Sequence, residues 1–130
     1  MKKGAPDVWA AGVPIVPFVN WFTEIQNEDP VLQQSDLATM GDLVKNKALY
    51  EDRSPINFVD NIKAPLYLLA GEADDITTKE QVFEAEHLVG TPHASIVKKL
   101  APGGHIGLFM GSKTLAETWP EIGHWMTRHQ

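Results

Sequence analysis

The hydrophobic positions of this chain change character near residue 63. Before it, "PDVWAAGVPIVPFVNWF" is proline-rich and aromatic without a regular period. From Asp36 to Tyr50, residues Leu37, Met40, Leu43, Val44 and Ala48 recur at helical spacing, and the Ser35 hydroxyl is placed to accept from the first-turn amides. A helix is predicted there. "RSPINFVDNIKAP" then reads as a turn-rich approach to "PLYLLAG", residues 65–71, a short apolar run opened by proline and closed by glycine. Such a run predicts a strand buried on both faces, as in a parallel sheet.

"EADD" follows as a loop, and "TTKEQVFEAEHLVG" as a helix. Thr77 with Glu80, or Thr78 with Gln81, can form its capping box; Val82, Phe83, Ala85, Leu88 and Val89 form its apolar face; Gly90 is placed to end it in the left-handed conformation. A second strand is predicted over Ser95–Leu100. In "SKTLAETWPEIGHWMTRH" a last helix turns Leu115, Trp119, Ile122, Trp125 and Met126 inward, with Pro120 marking a kink or a new first turn.

Strand, helix, strand, helix is the pattern of an α/β protein with parallel strands, and the loops at the carboxyl ends of such strands form the functional edge. Two of these loops are visible. "GEADDIT" carries an acidic pair and "APGGHIG" carries His105. Neighbouring strands lie about 4.8 Å apart, so an aspartate beyond one can orient an imidazole beyond the other. Gly103 and Gly104 suit the sharp turn this needs. Taken singly, His105 also reads as a loop histidine satisfied by backbone, and Asp74 and Asp75 as solvated carboxylates favoured at a helix N-terminus. Their joint placement at matching strand ends is what favours an acid–base pair.

Composition narrows the field. The chain has a net charge of −6 and its eleven Lys and Arg are scattered, which argues against a nucleic-acid partner. Without cysteine there is no disulfide, thiolate metal site or cysteine nucleophile among these residues, and a cytoplasmic location is expected. Lys2 and Lys3 precede an apolar stretch, but Pro6, Asp7, Pro14 and Pro17 break it, so neither a signal peptide nor a transmembrane segment is expected. No HxH or HExxH spacing occurs, and no metal or cofactor is expected.

"APLYLLAGEADDITTKEQ", then "PGGHIGLF", then a terminal amphipathic helix resemble the C-terminal part of α/β-hydrolases, where a Gly-x-x-Asp loop supplies the acid and a late Gly-His the base. "PGGHIG" followed by "WPEIGHWM" is most similar to polyhydroxyalkanoate synthases and related polyester-metabolising hydrolases, while "SPINFVDNIKAP" is similar to many peptidase and esterase members. The resemblance covers about residues 50–130. It implies a cap-like irregular and helical segment over 1–62 and the C-terminal βαβα part of a hydrolase domain over 63–130. It places the catalytic acid on Asp74, with Asp75 as the alternative register, and the catalytic base on His105. His87, His93, His124 and His129 are read as structural or surface residues.

The family's nucleophile sits on a tight strand-to-helix turn between glycines. Ser35, Ser54, Ser95 and Ser112 all lack that setting. The expectation is therefore the acid–base half of an acyl transferase or esterase acting on hydroxyacyl esters or a polyester, inactive alone. Its partner would be a chain carrying the nucleophile, or a second copy, joined along an open edge of the first strand. Trp9, Phe18, Trp21 and Phe22 would cap an apolar acyl site, or simply pack on the core. The alternative is a non-catalytic interaction module binding another chain or a hydrophobic granule surface.

Overall fold

The structure, a computed structural model, describes residues 8–17, 19–74 and 76–130. The chain forms two compact units, Met1–Pro17 with Asp60–Gln130 and Phe18–Val59. The described residues 8–17 thus group with the sheet.

In the larger unit β1 (Leu66–Gly71) and β2 (Ile96–Ala101) pair in parallel, from Leu66 opposite Ile96 to Gly71 opposite Ala101. All six residues of β1 are buried, as its unbroken apolar run requires. The alternation of the strand divides them between two faces. Tyr67 and Leu69 pack with Ala101, Leu108, Ile122 and Trp125; Leu66, Leu68 and Ala70 pack with Val82.

The side of β1 expected to be open is covered. Gly12 and Ile15 pair in parallel with Leu66 and Leu69; the Tyr67 amide donates to the Gly12 carbonyl at 2.9 Å, and the Leu69 amide to the Pro14 carbonyl at 3.3 Å. Pro14 costs no outward donor here, because its position in the alternation faces β1. β1 is therefore the central strand, and among the described residues the free edges belong to β2 and to residues 12–15.

The helical segment after β1 begins at the Thr78–Gln81 capping box, one of the two expected, and divides into α4 (Lys79–Phe83) and α5 (Ala85–Leu88). Gly90 does not adopt the left-handed conformation expected of it. It is crowded instead: a Cβ there would run into the Asp60 carbonyl and the Lys63 ammonium. After β2 come α6 (Gly107–Met110), a π-helical turn over Thr114–Thr118, and α7 (Trp119–Thr127). Pro120 has no N–H to continue an α pattern, and ahead of it the Trp119 amide reaches back five residues to the Thr114 carbonyl. The wider turn buries Thr114 and Thr118, leaving Leu115 and Met126, expected inside, about half exposed.

The smaller unit holds α1 (Trp21–Asn27), α2 (Pro30–Met40) and α3 (Lys47–Arg53). The single helix expected over 36–50 is two. Gly41 ends α2 at φ +81°, and the Asp42 side chain accepts from the Val44 and Lys45 amides, holding a turn that no continuous helix allows. The cap of α2 is Asp29 ahead of Pro30, and Ser35 lies inside the helix. Buried Tyr50 closes the unit, its hydroxyl donating to the Gly41 carbonyl at 2.8 Å. Among the described residues no helix is long and apolar enough to cross a membrane.

Candidate active site

Asp74 stands three residues beyond the end of β1, and His105 four beyond the end of β2. The loops that carry them stay bonded after the strands stop. The Glu72 amide donates to the Ala101 carbonyl at 2.9 Å and the Ala73 amide to the Gly103 carbonyl at 3.1 Å. Gly103, at φ +103°, then turns the chain in a conformation that side chains rarely adopt.

This brings the two sequence-predicted residues together. Nδ1 of His105 lies 3.1 Å from Oδ2 and 3.3 Å from Oδ1 of Asp74. A carboxylate only accepts, so the proton is assigned to Nδ1, and Nε2 is left as the basic nitrogen. The Asp74 side chain is fully buried, while that of His105 keeps 25% of its surface exposed. Oδ1 of Asp74 also accepts from the Ile76 amide at 3.0 Å and the Thr77 amide at 2.9 Å. Burial pushes the Asp74 carboxyl up, but those two amides and the facing imidazole outweigh it and hold the group below its ordinary value. Asp74 is thus an ionised, oriented acceptor.

The Ile76 and Thr77 amides are part of the site beyond the acid and base expected from the sequence. Their signal was present in "DDIT", since an aspartate followed by a helix start favours a turn in which its side chain accepts from amides two and three residues on. Asp75, the alternative acid, lies outside the described residues, as does Phe18. Of the other cap candidates, Trp9 is exposed and Phe22 packs against Tyr50 with ring centroids 5.9 Å apart.

The remaining histidines have separate contacts. His87 lies 3.4 Å from Glu86 and faces the His93 ring, His129 bonds the Trp125 carbonyl and stacks on its indole, and His124 is exposed on α7. No group of three or more metal-ligating side chains occurs among the described residues. Of the serines, Ser54 is buried in the smaller unit, accepting from the Trp21 amide and donating to the Tyr50 carbonyl. Ser35 is inside α2, Ser95 lies in the turn before β2, and Ser112 is exposed after α6.

Parallel strands between helices, with an aspartate and a histidine meeting beyond adjacent strand ends, define part of an α/β-hydrolase. The sequence matches the prolyl oligopeptidase family over residues 1–101, and the chain belongs to that family. Its fold is similar to that of an acylaminoacyl peptidase from Pyrococcus horikoshii, with a TM-score of 0.71 and 21% identity over 95% of this chain and 20% of that one. An esterase from Pyrococcus furiosus superposes with a TM-score of 0.55 at 16% identity, covering 98% of this chain and 48% of the esterase. In sequence the chain is 27% identical over 88 residues to the poly(3-hydroxyalkanoate) polymerase subunit PhaC of Haloarcula marismortui. That match covers 65% of this chain and 18% of the relative, so the chain spans less than a quarter of the length of both PhaC and the acylaminoacyl peptidase.

Proposed function

We propose that these residues supply the acid–base part of an acyl-transferring hydrolase, with His105 as general base and Asp74 as the group that orients it. The observation that carries this reading is the 3.1 Å contact between Nδ1 of His105 and a buried, amide-clamped Asp74 carboxylate. With Nδ1–H engaged, Nε2 takes the proton from a serine or cysteine as it attacks the substrate carbonyl, then returns it to the leaving group. Asp74 stabilises the imidazolium in between.

The nucleophile comes from a segment outside these 130 residues. Residues 12–15 are the edge suited to receive it. Gly12 and Pro14 direct their carbonyls toward β1, so the alternation turns the amides and carbonyls of Val13 and Ile15 the other way, and no charge occurs from Val8 to Thr23. β2, by contrast, carries Lys98 and Lys99, paired with Glu86 and Glu121, the kind of charge that discourages further strand pairing.

Two substrate classes share this chemistry. Membership of the prolyl oligopeptidase family favours a peptide or acylamino substrate, and the PhaC likeness favours a hydroxyacyl ester or polyester. The test is to co-express the chain with a segment carrying a Gly-x-Ser-x-Gly or Gly-x-Cys-x-Gly turn, taken from the reading frame adjoining its gene. Hydrolysis of p-nitrophenyl butyrate, of a 3-hydroxybutyryl ester and of an acylaminoacyl p-nitroanilide is then measured. Activity that needs both segments and vanishes in His105→Ala supports the reading, and the preferred substrate decides between the classes. Turnover by the 130-residue chain alone would overturn the external nucleophile, and turnover surviving His105→Ala would overturn the role of the histidine.

A further inference from the structure

We infer that Gly71 and Gly104 are positioning residues for the Asp74–His105 pair, keeping the acid loop and the base loop in backbone contact where any side chain would force them apart. The inference rests on reading Asp74 and His105 as an acid–base pair. Past the strand ends the two loops run as a bonded pair, through the Glu72–Ala101 and Ala73–Gly103 backbone hydrogen bonds. A Cβ on Gly71 would sit 2.8 Å from the Gly103 carbonyl oxygen and 3.2 Å from the Cβ of Asp74. On Gly104 it would sit 3.0 Å from the Ala73 carbonyl oxygen. These obstacles are backbone atoms and the root of a side chain, which cannot rotate aside, so a side chain at Gly71 must shift the loops and one at Gly104 must move the Ala73 carbonyl by a few tenths of an ångström.

Backbone conformation does not explain these two glycines. Gly103 occupies the left-handed side of φ space, whereas Gly71 and Gly104 do not. Close approach is the remaining physical reason. Little tolerance exists in the geometry being held: the His105–Asp74 contacts of 3.1 and 3.3 Å are already at the long end of hydrogen-bond distances, and a further few tenths of an ångström removes them. Gly107, at the start of α6, is the internal control, because a Cβ there meets nothing within 4 Å.

Ring ¹⁵N spectra of His105 in the full chain, with the imidazole neutral, provide the test. The wild type is expected to show the Nδ1-protonated tautomer and Asp74→Asn to lose it. Gly71→Ala and Gly104→Ala are expected to lose it as well while backbone amide spectra report a folded protein, and Gly107→Ala to keep it. If Gly71→Ala does not fold, the milder Gly104→Ala decides. A folded glycine variant with the wild-type tautomer overturns the positioning role, and so does unfolding of both, which would make the contact merely structural. A wild-type chain without the Nδ1 tautomer sinks the acid–base reading itself, so the two failures are told apart.

Discussion

The Thr77 amide donates to Asp74 at 2.9 Å on the oxygen that also lies 3.3 Å from the His105 ring, so one carboxylate ties the start of the next helix to the imidazole. The carboxylate is therefore held from its own loop as well as by the histidine. Replacing it separates its roles. Asp74→Asn keeps an oxygen for the Ile76 and Thr77 amides but presents an N–H to Nδ1, which favours the wrong tautomer. In the reconstituted enzyme kcat is expected to fall about 10⁴-fold with a small change in KM. Steady-state kinetics checks this.

The same carboxylate makes stability depend on acid. Its carboxyl is held below the ordinary 3.8, so the folded state binds fewer protons than the unfolded state in that window. The stabilisation is present above the unfolded value and is lost as pH falls through the folded one. Thermal melts at descending pH are expected to show the wild type losing more stability than Asp74→Asn below about pH 4. Parallel curves would contradict it.

Tyr67 and Glu121 offer an asymmetric pair. The Tyr67 ring is buried and its hydroxyl donates to Oε1 of Glu121 at 2.7 Å, while Lys99 donates to the other carboxylate oxygen at 2.6 Å. The Glu121 side chain is 46% exposed, so when Tyr67→Phe removes the donor, water can replace it. That substitution should cost about 0.5–1.5 kcal/mol. Glu121→Ala instead strands the tyrosine hydroxyl and should cost more, about 1–3 kcal/mol. Urea denaturation of both variants tests the order.

Gly41→Ala tests the break between α2 and α3. In a continuous helix the change would stabilise, since alanine is the better helix former. At φ +81°, with Asn46 crowding the position of a Cβ, it is expected to destabilise by about 1–2 kcal/mol. The sign alone, read from a denaturation midpoint, distinguishes the two.

Thr78→Ala removes the side chain that accepts from the Gln81 amide and so opens the capping box at the start of α4. A loss of about 1 kcal/mol is expected, measured by thermal denaturation.

Much of this protein is written in local pattern. The apolar run at 65–71, the Thr78–Gln81 box, and the aspartate and histidine at the two loop positions are legible because strand burial, capping and loop chemistry act over a few neighbouring residues. What the pattern could not carry was set by partners distant in the chain. The covered flank of β1 depends on residues 12–15, more than fifty positions away, where Pro14 hides any strand period. Gly90 fits a helix stop by sequence but lies against the Asp60 carbonyl, and the π turn moves the inward face from Leu115 to Thr114 and Thr118. The sequence alone offered Asp74, with Asp75 as the alternative register, as acid and His105 as base. Only the tertiary structure brought Nδ1 of His105 to within 3.1 Å of Asp74, because a hydrogen bond between strands depends on register and backbone approach, neither of which is local.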